Sequence, residues 1–151
     1  MRAVKATGLV HANPDVVFEL ITTPGRLSGW NRAIVRTVDA PPQLEPGSRW
    51  VVELHALGQS WPRRSTVTLL DRATRRFSYR SQTDDGNPSH ADWTWRAADA
   101  AGGSDLTVMV ELYPVTFWRR ILLVRIRARQ LRREMRDSLE QLATTLATVP
   151  N

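Results

Sequence analysis

The side chains of this 151-residue chain that could exchange protons, attack carbonyls or hold metals are spaced in ways that restrict what they can do. There are no cysteines, so disulfides, thiolate metal sites and thiol nucleophiles are excluded. The three histidines, His11, His55 and His90, lie far apart without the short spacings of metal ligands, so neither a metal nor a cofactor is expected. Ser89, His90 and Asp92 are the residue types of a nucleophilic triad, but strand neighbours point to opposite faces and no Gly-x-Ser-x-Gly turn accompanies them. Glu53 and His55 share a strand face and read as a solvated pair. Gly102-Gly103 has no phosphate-loop context and reads as a hairpin turn. Any acid–base chemistry is left to Tyr79, Tyr113 and an Arg or His that turns inward from a strand end.

Six tryptophans are the other chemical feature. Trp50, Trp93 and Trp95 stand at strand positions. Core packing is the plainer use of such residues, but with Phe77 and Tyr79 they also offer flat area to a hydrophobic or aromatic ligand. Tyr79 and Ser81 are candidate polar handles, and Val108 and Val110 belong to the same inward-facing set. Trp30, Trp61 and Trp118 fall in expected loops, gathered at one end of the sheet, where they would form a hydrophobic mouth.

The elements that must position these residues follow from periodicity. Residues 3–10 read as a strand. Asn13-Pro14-Asp15 starts a short helix, with Asn13 as N-cap and Val16, Val17, Leu20 and Ile21 as its apolar face, and residues 26–29 make one further turn. Strands follow at residues 33–39, 49–56, 65–70, 77–82, 90–96 and 106–113, joined by Gly/Pro/Asp turns. From residue 117 to 148, apolar residues recur every three or four positions, including Ile121, Val124, Ala128, Leu131, Met135, Leu139 and Leu142. This predicts one helix of about 45 Å. Strand alternation sends Trp50, Val52, Leu54, Val67, Leu69, Phe77, Tyr79, Ala91, Trp93, Trp95, Leu106, Val108, Val110 and Leu112 toward that helix. It sends Glu53, His55, Arg76, Arg80, His90, Asp92, Arg96 and Glu111 outward.

At this length one domain over residues 1–151 is expected, burying about 70% of its unfolded surface. No apolar run approaches a membrane span and no signal-type segment opens the chain, which reads as soluble and cytoplasmic. The formal charge of +6 resides in one place: eight arginines against Glu134 and Asp137 between residues 118 and 137. On a helix Arg125, Arg129, Arg132 and Arg136 form a ridge beside the apolar stripe, a surface that fits an anionic membrane or a dimer partner. Nucleic acid is disfavoured, because the rest of the chain is neutral.

The order strand, two short helices, six strands, long helix resembles the START-like helix-grip superfamily, in particular its polyketide cyclase/dehydrase branch. The carriers are Asn13-Pro14-Asp15-Val16-Val17-Phe18 with Pro24 and Trp30, Pro46-Gly47-Ser48-Arg49-Trp50 leading into a strand, Gly103-Ser104-Asp105-Leu106-Thr107 leading into the last strand, and the closing amphipathic helix. Gly103-Ser104 stands where the family commonly has Gly-Thr. The resemblance implies an α+β fold in which a curved antiparallel sheet of about seven strands (β-α-α-β6-α) wraps a long C-terminal helix around an internal cavity. It implies a hydrophobic small-molecule ligand for a carrier, sensor or binding module. A cyclase, aromatase or dehydratase acting on a polyketide-like substrate is the second reading, and a membrane or protein-interaction module working through the Arg-rich helix is the third.

Overall fold

Seven strands form one antiparallel sheet in the computed structural model, which describes residues 2–31, 34–56, 58–82, 90–113, 129 and 132–144. The strands are β1 (Arg2–Val10), β2 (Ile34–Asp39), β3 (Arg49–Ala56), β4 (Gln59–Asp71), β5 (Arg76–Gln82), β6 (His90–Ala100) and β7 (Gly103–Tyr113). Their order across the sheet is β1-β7-β6-β5-β4-β3-β2, so β2 to β7 run as a meander and β1 closes back beside β7. The link from β1 to β2 crosses between the two edges of the sheet. It is helical: α1 (Pro14–Ile21), a 3-10 turn (Pro24–Arg26) and α2 (Leu27–Trp30).

Local chemistry explains where these pieces start and stop. The Asn13 side chain accepts a hydrogen bond from the Asp15 N–H at 2.8 Å, and Pro14 presets the first helical residue of α1. The Thr22 hydroxyl donates to the Phe18 carbonyl at 2.8 Å and satisfies the other end. Val17, Phe18, Leu20 and Ile21 are buried. Val16, expected on the apolar face, is instead 48% exposed. At 100° per residue it lies outside the arc centred between Val17 and Ile21, and Phe18 fills the core. Arg75 pins α1 to the β4–β5 turn through Asp15 at 2.7 Å, with Asp99 at 3.7 Å. Gly103 sits where β7 begins against the end of β1; a Cβ there would lie 2.1 Å from the Val10 carbonyl oxygen, so the close approach requires glycine.

Residues 132–144 are helical and form α3. Met135, Ser138, Leu139 and Leu142 are buried at the three-and-four spacing of one helix face, and Leu139 packs over Gly8 of β1. Arg132, Arg133 and Arg136 point to solvent, as does Arg129, and none has an ion-pair partner among the described residues. Arg125 and the expected first half of this helix lie outside the described residues, as do the loop at 83–89 and residues 114–118. No described helix is long and apolar enough to cross a membrane.

The sheet departs from simple alternation at one place that matters. Val67 opposes Tyr79 and Leu69 opposes Ser78, so Thr68 is an extra residue in β4. The bulge turns Leu69, expected inside, to the outer face at 41% exposure and brings Leu70 onto the core. Leu69→Thr should therefore change the free energy of urea unfolding by less than about 0.5 kcal/mol, whereas Leu70→Thr should cost about 1–3 kcal/mol. The reverse ranking would show that β4 runs without the bulge.

Candidate functional site

One row across the concave face of the sheet is built from short side chains. Trp50 opposes Ser65, Ser65 opposes Ser81, Ser81 opposes Ala91, and Ala91 opposes Leu112. The three central members are buried but too short to reach the helices opposite. Above them lies a cavity of about 70 Å³, more than one water requires. The neighbouring rows are large: Val67, Tyr79, Trp93, Val110 and Val4, then Leu70, Phe77, Trp95, Val108 and Ala6. Ile21, Pro24, Leu27 and Trp30 cover the cavity from the first helical segment, and Met135 and Ser138 from α3.

Trp30, Trp50, Phe77, Tyr79, Trp93 and Trp95 supply six rings to its walls, among aliphatic side chains such as Ile34, Leu44 and Val52. Tyr79 is the hub. Trp50 meets it edge-on at 4.9 Å, Phe77 lies tilted at 5.1 Å, and Trp93 stacks at 6.1 Å. Trp30 and Trp95 cross edge to face at 5.4 Å. Such rings keep their shape on two side-chain torsions, so the wall is a preformed flat surface.

The polar groups gather around the same hub. Trp95 Nε1 donates to the Tyr79 hydroxyl at 3.4 Å. Arg63 reaches the cavity from β4 and donates through Nε to Ser81 Oγ and through Nη2 to the Ser81 carbonyl at 3.0 Å. Ser81 is thus engaged in holding Arg63. Burial pushes the Tyr79 hydroxyl up to about 12, while its hydrogen bond from Trp95 and the charge of Arg63 oppose the shift. At neutral pH Tyr79 is a neutral donor, not a base.

Sequence reading missed two ionisable members of the wall. Arg63 carries no local sign of facing inward, because Gly58 and Pro62 give the stretch before it a turn-like composition; β4 in fact begins at Gln59, and counting back in twos from Val67 gives Ser65, Arg63 and Trp61 on the inner face. Glu134 stood out only as a counter-charge in an arginine run, yet it lines the cavity one turn before Ser138. Trp61 is a strand residue opposite Leu54, packed on the core and not among the cavity-lining residues. Trp30 likewise is no loop residue; it ends α2, is 2% exposed and walls the cavity. Val108 and Val110 are wholly buried beneath the rows that Trp95 and Trp93 complete, without lining the cavity. Trp118 lies outside the described residues.

The outer face behaves as a solvated surface. Asp92 is taken by Arg80 at 2.9 Å, not by His90, whose ring stacks on Tyr113 at 4.7 Å. Glu53 pairs with Arg36 at 2.7 Å and His55 Nδ1 with Ser60 Oγ at 2.8 Å, so Glu53 and His55 do not act on each other. The described residues hold no cluster of three or more metal-ligating side chains.

The family described as polyketide cyclase / dehydrase and lipid transport matches residues 1–147. No curated protein matches the sequence. Among solved structures, the di-domain ARO/CYC BexL from the BE-7585A biosynthetic pathway shares 22% identity at a TM-score of 0.77, covering 100% of this chain and 48% of that one. Protein CV1439 from Chromobacterium violaceum shares 20% identity at 0.74, with 95% of each chain covered. Zhui aromatase/cyclase from Streptomyces sp. R1128 shares 17% at 0.72, with 95% of this chain and 92% of that one covered. At these identities the likeness is one of fold.

Tyr79 and Tyr113 are the two tyrosines of the chain, and the hydrogen bond of Tyr113 to Glu111 raises it as well. Tyr79→Phe should remove the component of the ultraviolet titration near pH 12, and Arg63→Met should move that component higher. Because folding raises the Tyr79 pKa, its contribution to stability is complete below about pH 10 and is lost as pH rises through about 12. A Tyr79→Phe chain with the same loss of stability over that interval would place the titration elsewhere.

Proposed function

The chain belongs to the polyketide cyclase/dehydrase and lipid transport family, and on that premise we propose that its cavity binds a hydrophobic or aromatic small molecule. The carrying observation is the row of Ser65, Ser81 and Ala91, which leaves room at the centre of the core between walls that carry six rings. A domain selected for stability alone gains by filling such space, since buried voids forfeit dispersion contacts. Flat rings recognise apolar area, and the Arg63–Tyr79 corner adds polar contacts at one part of the wall. Native mass spectrometry of the protein as purified should show a bound small molecule. Ala91→Leu, which fills the hollow, should lower affinity for a naphthalene-based fluorescent probe at least tenfold without lowering the thermal midpoint. Probe binding undiminished in that variant would place the ligand elsewhere.

Glu134 and Arg63 in the wall favour a second reading, a cyclase-type enzyme, because they supply the inward acid–base groups that strand alternation had left scarce. Glu134 would accept a proton from the carbon beside a ligand carbonyl, while Arg63 and Tyr79 stabilise the enolate oxygen until the proton returns. Deuterium exchange into the methyl group of 2-acetylnaphthalene in D₂O tests this. The protein should accelerate exchange and Glu134→Gln should abolish the acceleration; exchange at the solution rate would leave binding as the function.

A further inference from the structure

Trp30 carries a polar group that the fold leaves unused. Its side chain is 2% exposed and lines the cavity, and its Nε1 is buried with no hydrogen-bond partner among the described residues. An indole N–H only donates, so an acceptor alone can satisfy it. Proteins seldom leave such a donor buried and unmatched, because its hydration is lost without replacement. The edge-to-face contact with Trp95 supplies at most a weak N–H···π interaction.

A second donor belongs to the same wall. The Tyr79 hydroxyl accepts from Trp95 Nε1, and among the described residues its own proton has no acceptor. Trp95 stands between the two, against the ring of Trp30 and bonded to Tyr79. All three side chains line the cavity, so a ligand there meets an aromatic wall whose Trp30 and Tyr79 carry donors the described residues leave unmatched.

We propose that the cavity discriminates in favour of apolar ligands bearing a hydrogen-bond acceptor oxygen, a carbonyl or a phenolic oxygen, over hydrocarbons of the same shape, and that the Trp30 Nε1–H is the donor that makes the distinction. This rests on the reading of the cavity as an apolar ligand site and adds the chemistry of what enters it. The selectivity comes from the unpaired donor: a hydrocarbon buries Trp30 Nε1 still unmatched, whereas a ketone matches it.

Equilibrium dialysis with 2-acetylnaphthalene and its shape-matched hydrocarbon 2-isopropylnaphthalene tests the proposal. Trp30→Phe keeps a ring against Trp95 and removes the N–H. It should weaken binding of the ketone about three- to tenfold and change that of the hydrocarbon by less than about twofold. Equal losses for both probes would make Trp30 a packing residue, and no loss for either would show the N–H satisfied by the face of Trp95; each result overturns the proposal. A wild-type chain that binds neither probe overturns the ligand-site reading and this inference with it, whereas binding of both without preference overturns the inference alone. The infrared carbonyl band of bound 2-acetylnaphthalene needs no Trp30 variant. In Tyr79→Phe it should still lie below its position in hexane, and a band at the hexane position would overturn the assignment to Trp30.

Discussion

Short side chains at the centre of a concave sheet are the constraint on which the rest of this structure depends. Ser65, Ser81 and Ala91 stand side by side on three neighbouring strands, where the pleat aims them at the helices. Leucines at those positions would meet Met135 and Leu27 and close the core. Serine and alanine instead leave the helices resting on the two larger rows beyond them, so the cavity is a product of register as much as of residue size. The bulge at Thr68 belongs to the same constraint. By shifting β4 one residue it keeps both Val67 and Leu70 inside and lets Phe77 and Tyr79 meet them in adjacent rows.

Emptying the core costs dispersion energy, and the aromatic walls offset part of it. Six rings linked pairwise through Tyr79 and Trp95 bury large area with few rotatable bonds, so the walls hold their shape. The polar corner is stabilised in another way. Arg63 is anchored by both the hydroxyl and the carbonyl of Ser81, which spares its guanidinium from being buried unmatched. Its charge in turn opposes the desolvation of Tyr79. Positive charge and neutral hydroxyl stay within reach of the cavity while the outer face is occupied by ordinary surface pairs such as Arg80–Asp92 and Arg36–Glu53.

Local consistency is broken at Trp30, where a well-packed indole keeps an unmatched N–H. Departures of this kind concentrate where a chain serves something other than its own stability. The position is also set by long-range structure: Trp30 ends a four-residue helix held between α1 and β2, and Asn31 N–H to the Leu27 carbonyl at 2.8 Å closes that turn. Its side chain is fixed against Trp95, sixty-five residues further along the chain.

The seven strands, the helical link after Asn13-Pro14 and the inward direction of Trp50, Phe77, Tyr79, Trp93 and Trp95 are legible in the residues alone, because caps, turns and a period of two are local properties of the chain. Tertiary structure alone decided the rest. Leu69 faces outward because a bulge is specified by pairing with β5, not by the residues of β4. Arg63 and Trp61 face inward because β4 extends through Pro62 at a place where the local sequence reads as a turn, and only hydrogen bonding to β3 carries the strand that far. Glu134 and Trp30 reach the cavity because of where their helices land on the sheet. Depth, neighbours and unmatched donors arise when distant segments meet, and those meetings are not written in the spacing of residues along one segment.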